Sequence, residues 1–85
     1  MRIYYSSKFA REYKGLPAQV KRSAEEREQI FRQNPYDLRL KTHKLHGRLK
    51  TYWAFSIDQK YRIIFEFADK DTVWFHSVGD HSLYQ

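Results

Sequence analysis

Cysteine is absent from this sequence, and so are long apolar runs. The lack of cysteine excludes a disulfide framework, a thiolate nucleophile and a cysteine-based zinc site, and it favours a reducing compartment. No segment approaches the roughly 18 apolar residues of a transmembrane helix, and the N-terminal stretch MRIYYSSKFAREYK lacks the apolar core of an export signal. We therefore expect a cytoplasmic protein without a membrane span.

Glycine and proline are scarce, with three and two residues respectively. The sequence holds no glycine-rich phosphate loop and no nucleophile elbow. Aromatic residues, by contrast, make up 18% of the chain, which is typical of a folded protein and not of a disordered one. A length of 85 residues suffices for one modest core, so we expect a single domain over residues 1–85.

The net charge of +6 is distributed unevenly. Residues 1–50 carry 13 basic and five acidic side chains, whereas residues 51–85 carry three and five. The densest part, RLKTHKLHGRLK at residues 39–50, has no acid and is called the basic segment below; its positive side chains are Arg39, Lys41, Lys44, Arg48 and Lys50. RNA or an acidic protein is the expected partner, and the alternative is a solvated face that keeps the protein soluble.

Residue patterns predict an element order of β-α-α-β-β-β. Strands are expected at residues 2–5, 49–57, 61–67 and 72–78, and two helices between the first two strands, one ending near Gly15 and one at about residues 18–33. Ser6 or Ser7 suits the first helix N-cap, GLP at 15–17 separates the helices, and NPYD at 34–37 ends the second. The last three strands have connections short enough to require antiparallel hairpins. This predicts an α+β domain in which two N-terminal helices pack on a curved antiparallel sheet.

Strand alternation indicates that the two sheet faces differ. In YRIIFEF the apolar set Tyr61, Ile63, Phe65 and Phe67 alternates with a partly polar set. That second set is Arg62, Ile64 and Glu66. We therefore expect one face to be exposed as a concave surface.

Four side chains could meet at that surface: His43, Arg62, His81 and Tyr84. In an antiparallel meander, a residue that begins one strand faces a residue just past the end of the next. Histidine titrates near neutral pH and arginine stays charged, a combination suited to metal-free phosphodiester cleavage. Alternatively, the histidines are ordinary surface residues and Arg62 pairs with Glu66 or Asp58. We expect no metal site, because the odd spacing of His43 and His46 separates them in an extended segment.

The second half, HKLHGRLKTYWAFSIDQKYRIIFEF followed by VWFHSVGDHSLY, resembles the RelE/ParE superfamily of small bacterial toxins. The shared features are KLHG, an aromatic YW strand, YRIIF and a last strand ending in Gly-x-His. The resemblance lies closest to toxin-antitoxin ribonucleases of the RelE, YafQ and YoeB type. It implies an endoribonuclease that cuts mRNA in the ribosomal 30S A site, inhibits translation, needs no metal or other cofactor, and is neutralised by a cognate antitoxin.

The resemblance also implies roles for individual residues. His43 would be the general base, Arg62 would stabilise the phosphoryl charge, and His81 would protonate the leaving oxygen. Tyr84 would stack on a base or bond to phosphate, and the basic segment would position phosphates. The sequence departs from the pattern in three places. Trp53 and Phe55 stand where RelE has lysines, and Ser56 stands where YafQ-like toxins have a second histidine.

Two alternatives keep the same fold. One is a ParE-like inhibitor of DNA gyrase, and the other is a non-catalytic RNA-binding module. A basic domain with no toxicity is a third alternative. An acidic, partly disordered antitoxin would complement the basic charge. The second helix is too polar for a large self-interface, so we expect the free protein to be a monomer or weak dimer.

Overall fold

A computed structural model describes residues 1–80 and 83. The strands are β1 (Arg2–Tyr5), β2 (His43–Lys44), β3 (Trp53–Ser56), β4 (Arg62–Asp69) and β5 (Thr72–Gly79). The helices are α1 (Ser7–Lys14) and α2 (Ala18–Gln33), and two 3-10 turns span Leu38–Leu40 and Gly47–Leu49. The α+β class and the order of the predicted elements are confirmed.

The five strands form one sheet in the order β1-β5-β4-β3-β2. The pairs among β2, β3, β4 and β5 are antiparallel, as their short connections require. The first strand is the exception to the predicted antiparallel arrangement, because β1 pairs with β5 in parallel. Both helices lie in sequence between β1 and the other strands. A connection of that length allows β1 to pair with another strand in either the parallel or the antiparallel direction.

The predicted helices form with the expected boundaries. Ser6 caps α1, since its Oγ accepts a hydrogen bond from the Phe9 N–H at 2.9 Å. Asn34 ends α2 in an extended conformation, which is the conformation favoured for a residue before proline and not the left-handed cap that asparagine also permits. Neither helix, in the part of the chain that the structure describes, is long and apolar enough to cross a membrane.

The predicted strand at residues 49–57 was too long at its start. Residues 47–49 instead form a 3-10 turn, and β3 begins at Trp53. Tyr52 N–H donates to the Leu49 carbonyl at 2.9 Å, so the chain folds on itself before it enters the sheet. The short strand β2 was not predicted, because two residues are too few to show an alternating pattern.

The helices cover one face of the sheet and build the main core there. Phe31 of α2 is fully buried and lies against Phe55, Phe65 and Phe75, with ring centroids 4.8, 4.9 and 5.5 Å away. The predicted apolar stripe of the helices faces this core through Phe9, Val20, Ala24 and their partly buried neighbours. The other face, which has no helix on it, is called the open face below.

The open face is less exposed than the alternation predicted. A second small cluster of Leu45, Ala54 and Ile64 lies there, with Leu49, Tyr52 and Leu83 packed against it. The residues between β2 and β3 therefore fold over part of the sheet. The open face is therefore a partly covered cleft, and polar side chains line its sides.

Candidate active site

His43 lies on β2, directly opposite Ala54 in the antiparallel pair, so its side chain starts on the open face. Its Nδ1 is 3.0 Å from the backbone carbonyl oxygen of Lys41. A carbonyl oxygen only accepts, so the proton must be on Nδ1 in the neutral ring. Nε2 then carries the lone pair, which is the form that a general base needs.

Arg62 begins β4 on the same face, opposite Ser56 of β3 and Gly79 of β5. Its Nη1 donates to the backbone carbonyls of Asp58 at 2.6 Å and Tyr61 at 3.0 Å. The guanidinium group therefore lies at the turn between β3 and β4, and only one of its nitrogens makes these two bonds. An arginine has five N–H donors, so the others can serve an anion.

Both carboxylates considered as alternative partners of Arg62 make other contacts. Glu66 lies 3.2 Å from Nε2 of His76. The Asp58 carboxylate accepts hydrogen bonds from the backbone N–H groups of Lys60 and Tyr61, at 2.8 and 2.7 Å, and so closes the turn. Arg62 meets Asp58 only through its backbone carbonyl. Neither the Glu66 nor the Asp58 carboxylate therefore pairs with the Arg62 guanidinium group.

His43 and Arg62 are two strands and two register positions apart on one face. With strands spaced about 4.8 Å and residues about 3.4 Å apart, their Cα atoms are roughly 12 Å from each other. A histidine and an extended arginine can reach one phosphodiester group across that distance. Ser56 lies beside Arg62, whereas Trp53 and Phe55 face the helices and take no part in this surface.

His81 and Tyr84 lie outside the described residues. Of the residues near them in sequence, Gly79, Asp80 and Leu83 are described. Gly79 stands directly opposite Arg62, and Leu83 packs on the open-face cluster and against the Cα of Gly79. A Cβ added at Gly79 would be 3.2 Å from Leu83 Cδ2, which is a tight contact. The chain therefore leaves β5 beside Arg62.

A cavity of about 340 Å³ opens on the same face and was not predicted from the sequence. Its walls include Lys8 from α1, Tyr52, His76 and Ser77. The Lys8 ammonium donates to Ser77 Oγ at 2.8 Å, and the Tyr52 and His76 rings meet edge to face at 4.8 Å. The structure thus adds a cation and a second histidine to the surface that holds His43 and Arg62.

A β-bulge explains why Ser77 was missed. Ile64 pairs with Ser77, whereas Phe65 pairs with Phe75, so His76 is the extra residue in β5. A strict period of two would place His76 and Ser77 on opposite faces of the sheet. The register shift turns Ser77 to the open face as well. Ser6 Oγ donates to the His76 carbonyl at 2.8 Å, which holds the start of α1 against the bulge. No local sequence pattern marks such a bulge.

The basic segment divides into residues with different surroundings. Lys44 and Lys50 line a shallow cavity of about 570 Å³ with His46 at the β2 edge of the sheet. Arg48 is exposed on a 3-10 turn. Arg39 differs, because its Nε and Nη2 bind the Asp37 carboxylate at 3.0 and 2.9 Å. The guanidinium edge that would bind a phosphate is therefore already occupied by Asp37.

Within residues 1–80 and 83, no three metal-binding side chains come together.

The contact with Arg39 should be measurable through the titration of the Asp37 carboxyl. Hydrogen bonds from the Arg39 guanidinium and backbone N–H lower the pKa of Asp37 from 3.8 to about 2. A carboxyl with a lowered folded pKa stabilises the fold in full above its ordinary pKa. That contribution is lost as the pH falls from about 4 to about 2. We expect a carboxyl-carbon NMR titration to give a midpoint near 2 for Asp37.

The Arg39→Gln variant is the control for this titration, and its Asp37 midpoint should return toward 3.8. A midpoint near 3.8 in the unmodified protein would show that the contact does not form in solution.

No protein-family model matches this sequence, and no curated protein matches it. Solved structures do match. YafQ from E. coli strain BL21(DE3) superposes with a TM-score of 0.80 at 22% identity, over 98% of this chain and 97% of that one. A YoeB/ParE toxin from Agrobacterium tumefaciens gives a TM-score of 0.80 at 14% identity, over 95% and 99%. YafQ in the E. coli DinJ-YafQ toxin-antitoxin complex gives 0.77 at 21%, over 95% and 92%.

These likenesses establish the fold. The chain has the fold of small toxins from toxin-antitoxin systems, and it matches them over nearly the whole length of both partners. Among such toxins the fold is of the RelE/ParE type, as the sequence resemblance predicted.

Proposed function

We propose that this protein is the toxin of a type II toxin-antitoxin system and acts as a ribosome-dependent endoribonuclease. The observation that carries the proposal is the open face, where β2 and β4 bring His43 and Arg62 to one side of the sheet. A histidine with its lone pair on Nε2 and an arginine with N–H donors besides those on Nη1 suit phosphodiester cleavage. The fold of the YafQ and YoeB structures supports the same assignment.

The reaction begins with the ribose 2′-hydroxyl of the substrate. His43 Nε2 takes its proton, and the resulting 2′-oxygen attacks the adjacent phosphorus. The bond from phosphorus to the 5′-oxygen breaks, and a general acid protonates that oxygen. The products are a 2′,3′-cyclic phosphate and a free 5′-hydroxyl. From the resemblance to the RelE/ParE superfamily, we assign the acid role to His81, and to Tyr84 either stacking on a base or a hydrogen bond to phosphate.

Arg62 stabilises the negative charge that builds on the phosphoryl oxygens. Its guanidinium now lies over the turn carbonyls of Asp58 and Tyr61, and rotation of its side chain carries it to the phosphate. A bidentate contact with two phosphoryl oxygens exploits the planar donor fork. Lys8, at the cavity wall next to Ser77, supplies a second cation on the same face.

Cleavage mapping on programmed ribosomes tests the proposal. The protein is added to ribosomes with a defined codon in the A site, and to the same mRNA without ribosomes. We expect cuts within the A-site codon, with cyclic phosphate and 5′-hydroxyl ends, only when ribosomes are present. Absence of cutting in both samples would overturn the proposal and direct the search to gyrase inhibition or to RNA binding without cleavage.

Lys44 and Lys50, which line the cavity at the β2 edge, are expected to contact phosphates of the RNA away from the cleaved bond. Lys44→Gln and Lys50→Gln should each weaken binding to a non-cleavable single-stranded RNA. Each should also reduce the slope of log affinity against log salt by about 0.7, the value for one lost phosphate contact. Lys14→Gln is the matched control, since Lys14 is exposed at the end of α1. An equal slope change for all three would indicate a diffuse charge effect with no defined phosphate contacts.

We also propose that an antitoxin protein is the natural partner. Similar folds occur in the DinJ-YafQ complex, in the YoeB-YefM complex from Staphylococcus aureus and in RelBE2 from Mycobacterium tuberculosis. An acidic segment would complement the basic segment of this chain.

A further inference from the structure

Lys41 has an unusual backbone conformation. It has φ 53° and ψ 40°, in the left-handed region, and it is the one residue other than glycine with a positive φ in the part of the chain that the structure describes. This region is unfavourable for a residue with a long side chain, and such residues persist only where the surrounding structure holds them. Glycine or asparagine would occupy the position more easily.

The residues on both sides hold Lys41 in place. Leu40, which precedes it, is fully buried in the main core. The Thr42 hydroxyl, on the other side, donates to the Pro35 carbonyl. The Lys41 N–H closes the 3-10 turn by donating to the Leu38 carbonyl at 3.2 Å. The chain therefore reverses direction at Lys41 before it enters β2.

The reversal turns the Lys41 carbonyl toward the side chain two residues ahead. That carbonyl is the acceptor for Nδ1 of His43, at 3.0 Å. The backbone of His43 is itself fixed by its pairing with Ala54. With the backbone fixed on both sides, the hydrogen bond determines which nitrogen carries the proton and where the other one points.

We propose that Lys41 is a positioning residue, whose left-handed backbone holds His43 in the tautomer with the proton on Nδ1. Its catalytic consequence rests on the proposed ribonuclease function. The role belongs to the backbone of Lys41 and not to its charge. This differs from the phosphate contact expected for Lys41 from the sequence, and the two roles can be separated.

Two substitutions separate the backbone from the charge. Lys41→Gly and Lys41→Val both remove the ammonium group, but glycine accepts the left-handed region and a β-branched residue strongly disfavours it. The tautomer is read from nitrogen-15 NMR of the imidazole at a pH where the ring is neutral, with His43→Gln used to assign its signals. This reading needs no enzyme activity.

We expect the unmodified protein and Lys41→Gly to show His43 with the proton on Nδ1. Lys41→Val should shift the ring toward the Nε2–H form and should cleave at least about tenfold more slowly than Lys41→Gly. A His43 ring with the proton on Nε2 in the unmodified protein would overturn the proposal, even if Lys41→Val fails to fold. Equal cleavage rates in the two variants, despite a changed tautomer, would overturn its catalytic part.

The same data distinguish this proposal from the proposed function. An unmodified protein with His43 protonated on Nδ1 that cuts no RNA on ribosomes would support the positioning role of Lys41 and sink the ribonuclease. An unmodified protein that cuts RNA on ribosomes but has His43 protonated on Nε2 would support the ribonuclease and overturn the positioning role of Lys41.

Discussion

Arg62→Ala is expected to abolish cleavage on programmed ribosomes, with a fall in rate of at least about 100-fold. Removal of one donor that stabilises developing negative charge costs a factor of about 10² to 10³ in other enzymes. Arg62 is a charged donor on the open face, in register with Gly79 and beside Ser56. The measurement is single-turnover cleavage of the A-site codon at 25 °C.

Two further variants make the Arg62 result specific. Arg62→Lys keeps the charge but loses the planar fork, so it should retain only part of the activity. Arg22→Ala removes an exposed arginine from α2 and should cleave like the unmodified protein. Because Arg62 also bonds to two turn carbonyls, its loss should lower Tm modestly, by less than about 10 °C. Full activity of Arg62→Ala would remove Arg62 from the mechanism.

Phe31→Ala is expected to have the largest effect on stability. Phe31 is 0% exposed and contacts three phenylalanine rings from β3, β4 and β5, so it joins α2 to the middle of the sheet. Truncation of a buried phenylalanine costs about 3–5 kcal/mol. A domain of this size has a total stability of roughly 4–13 kcal/mol. The variant should therefore be partly unfolded or have a Tm at least about 12 °C lower.

Urea unfolding followed by circular dichroism gives this free energy directly. Tyr36→Ala is the matched control, because Tyr36 is also aromatic and sits at the same end of α2 but is 55% exposed. Its ring meets only Trp53 and Phe67 among the described aromatic rings, at 5.9 and 6.0 Å, so its loss should cost about 1–2 kcal/mol, less than that of Phe31. A similar cost for both variants would mean that Phe31 does not lie at the centre of the core.

Local patterns in the sequence predicted the helices well. Ser6, Gly15 and Asn34 mark their ends as expected, since capping and the residue before proline act over a few neighbouring positions. The alternation in β4 predicted correctly which side chains face the helices. The strand starts were less predictable, because LKTY at 49–52 has strand-like residues but packs as a turn over the open face.

The candidate site was only partly predictable. His43 and Arg62 were singled out as residue types suited to cleavage, but their place on one face depends on β2, which is too short to show a pattern. Lys8 and Ser77 could not be found in this way. Lys8 is distant in sequence from the strands, and Ser77 faces the cavity only because of the bulge at His76.

The sequence by itself was enough to predict a folded basic domain. It also predicted the two helices, the hairpin strands and the apolar sheet face that the helices cover. These follow from propensities and periodicities that act between near neighbours in the chain. The tertiary structure alone decided the parallel pairing of β1 with β5, the bulge at His76, the contact between Lys8 and Ser77 and the left-handed backbone at Lys41. These features depend on the packing of segments far apart in sequence, and no local pattern records that packing.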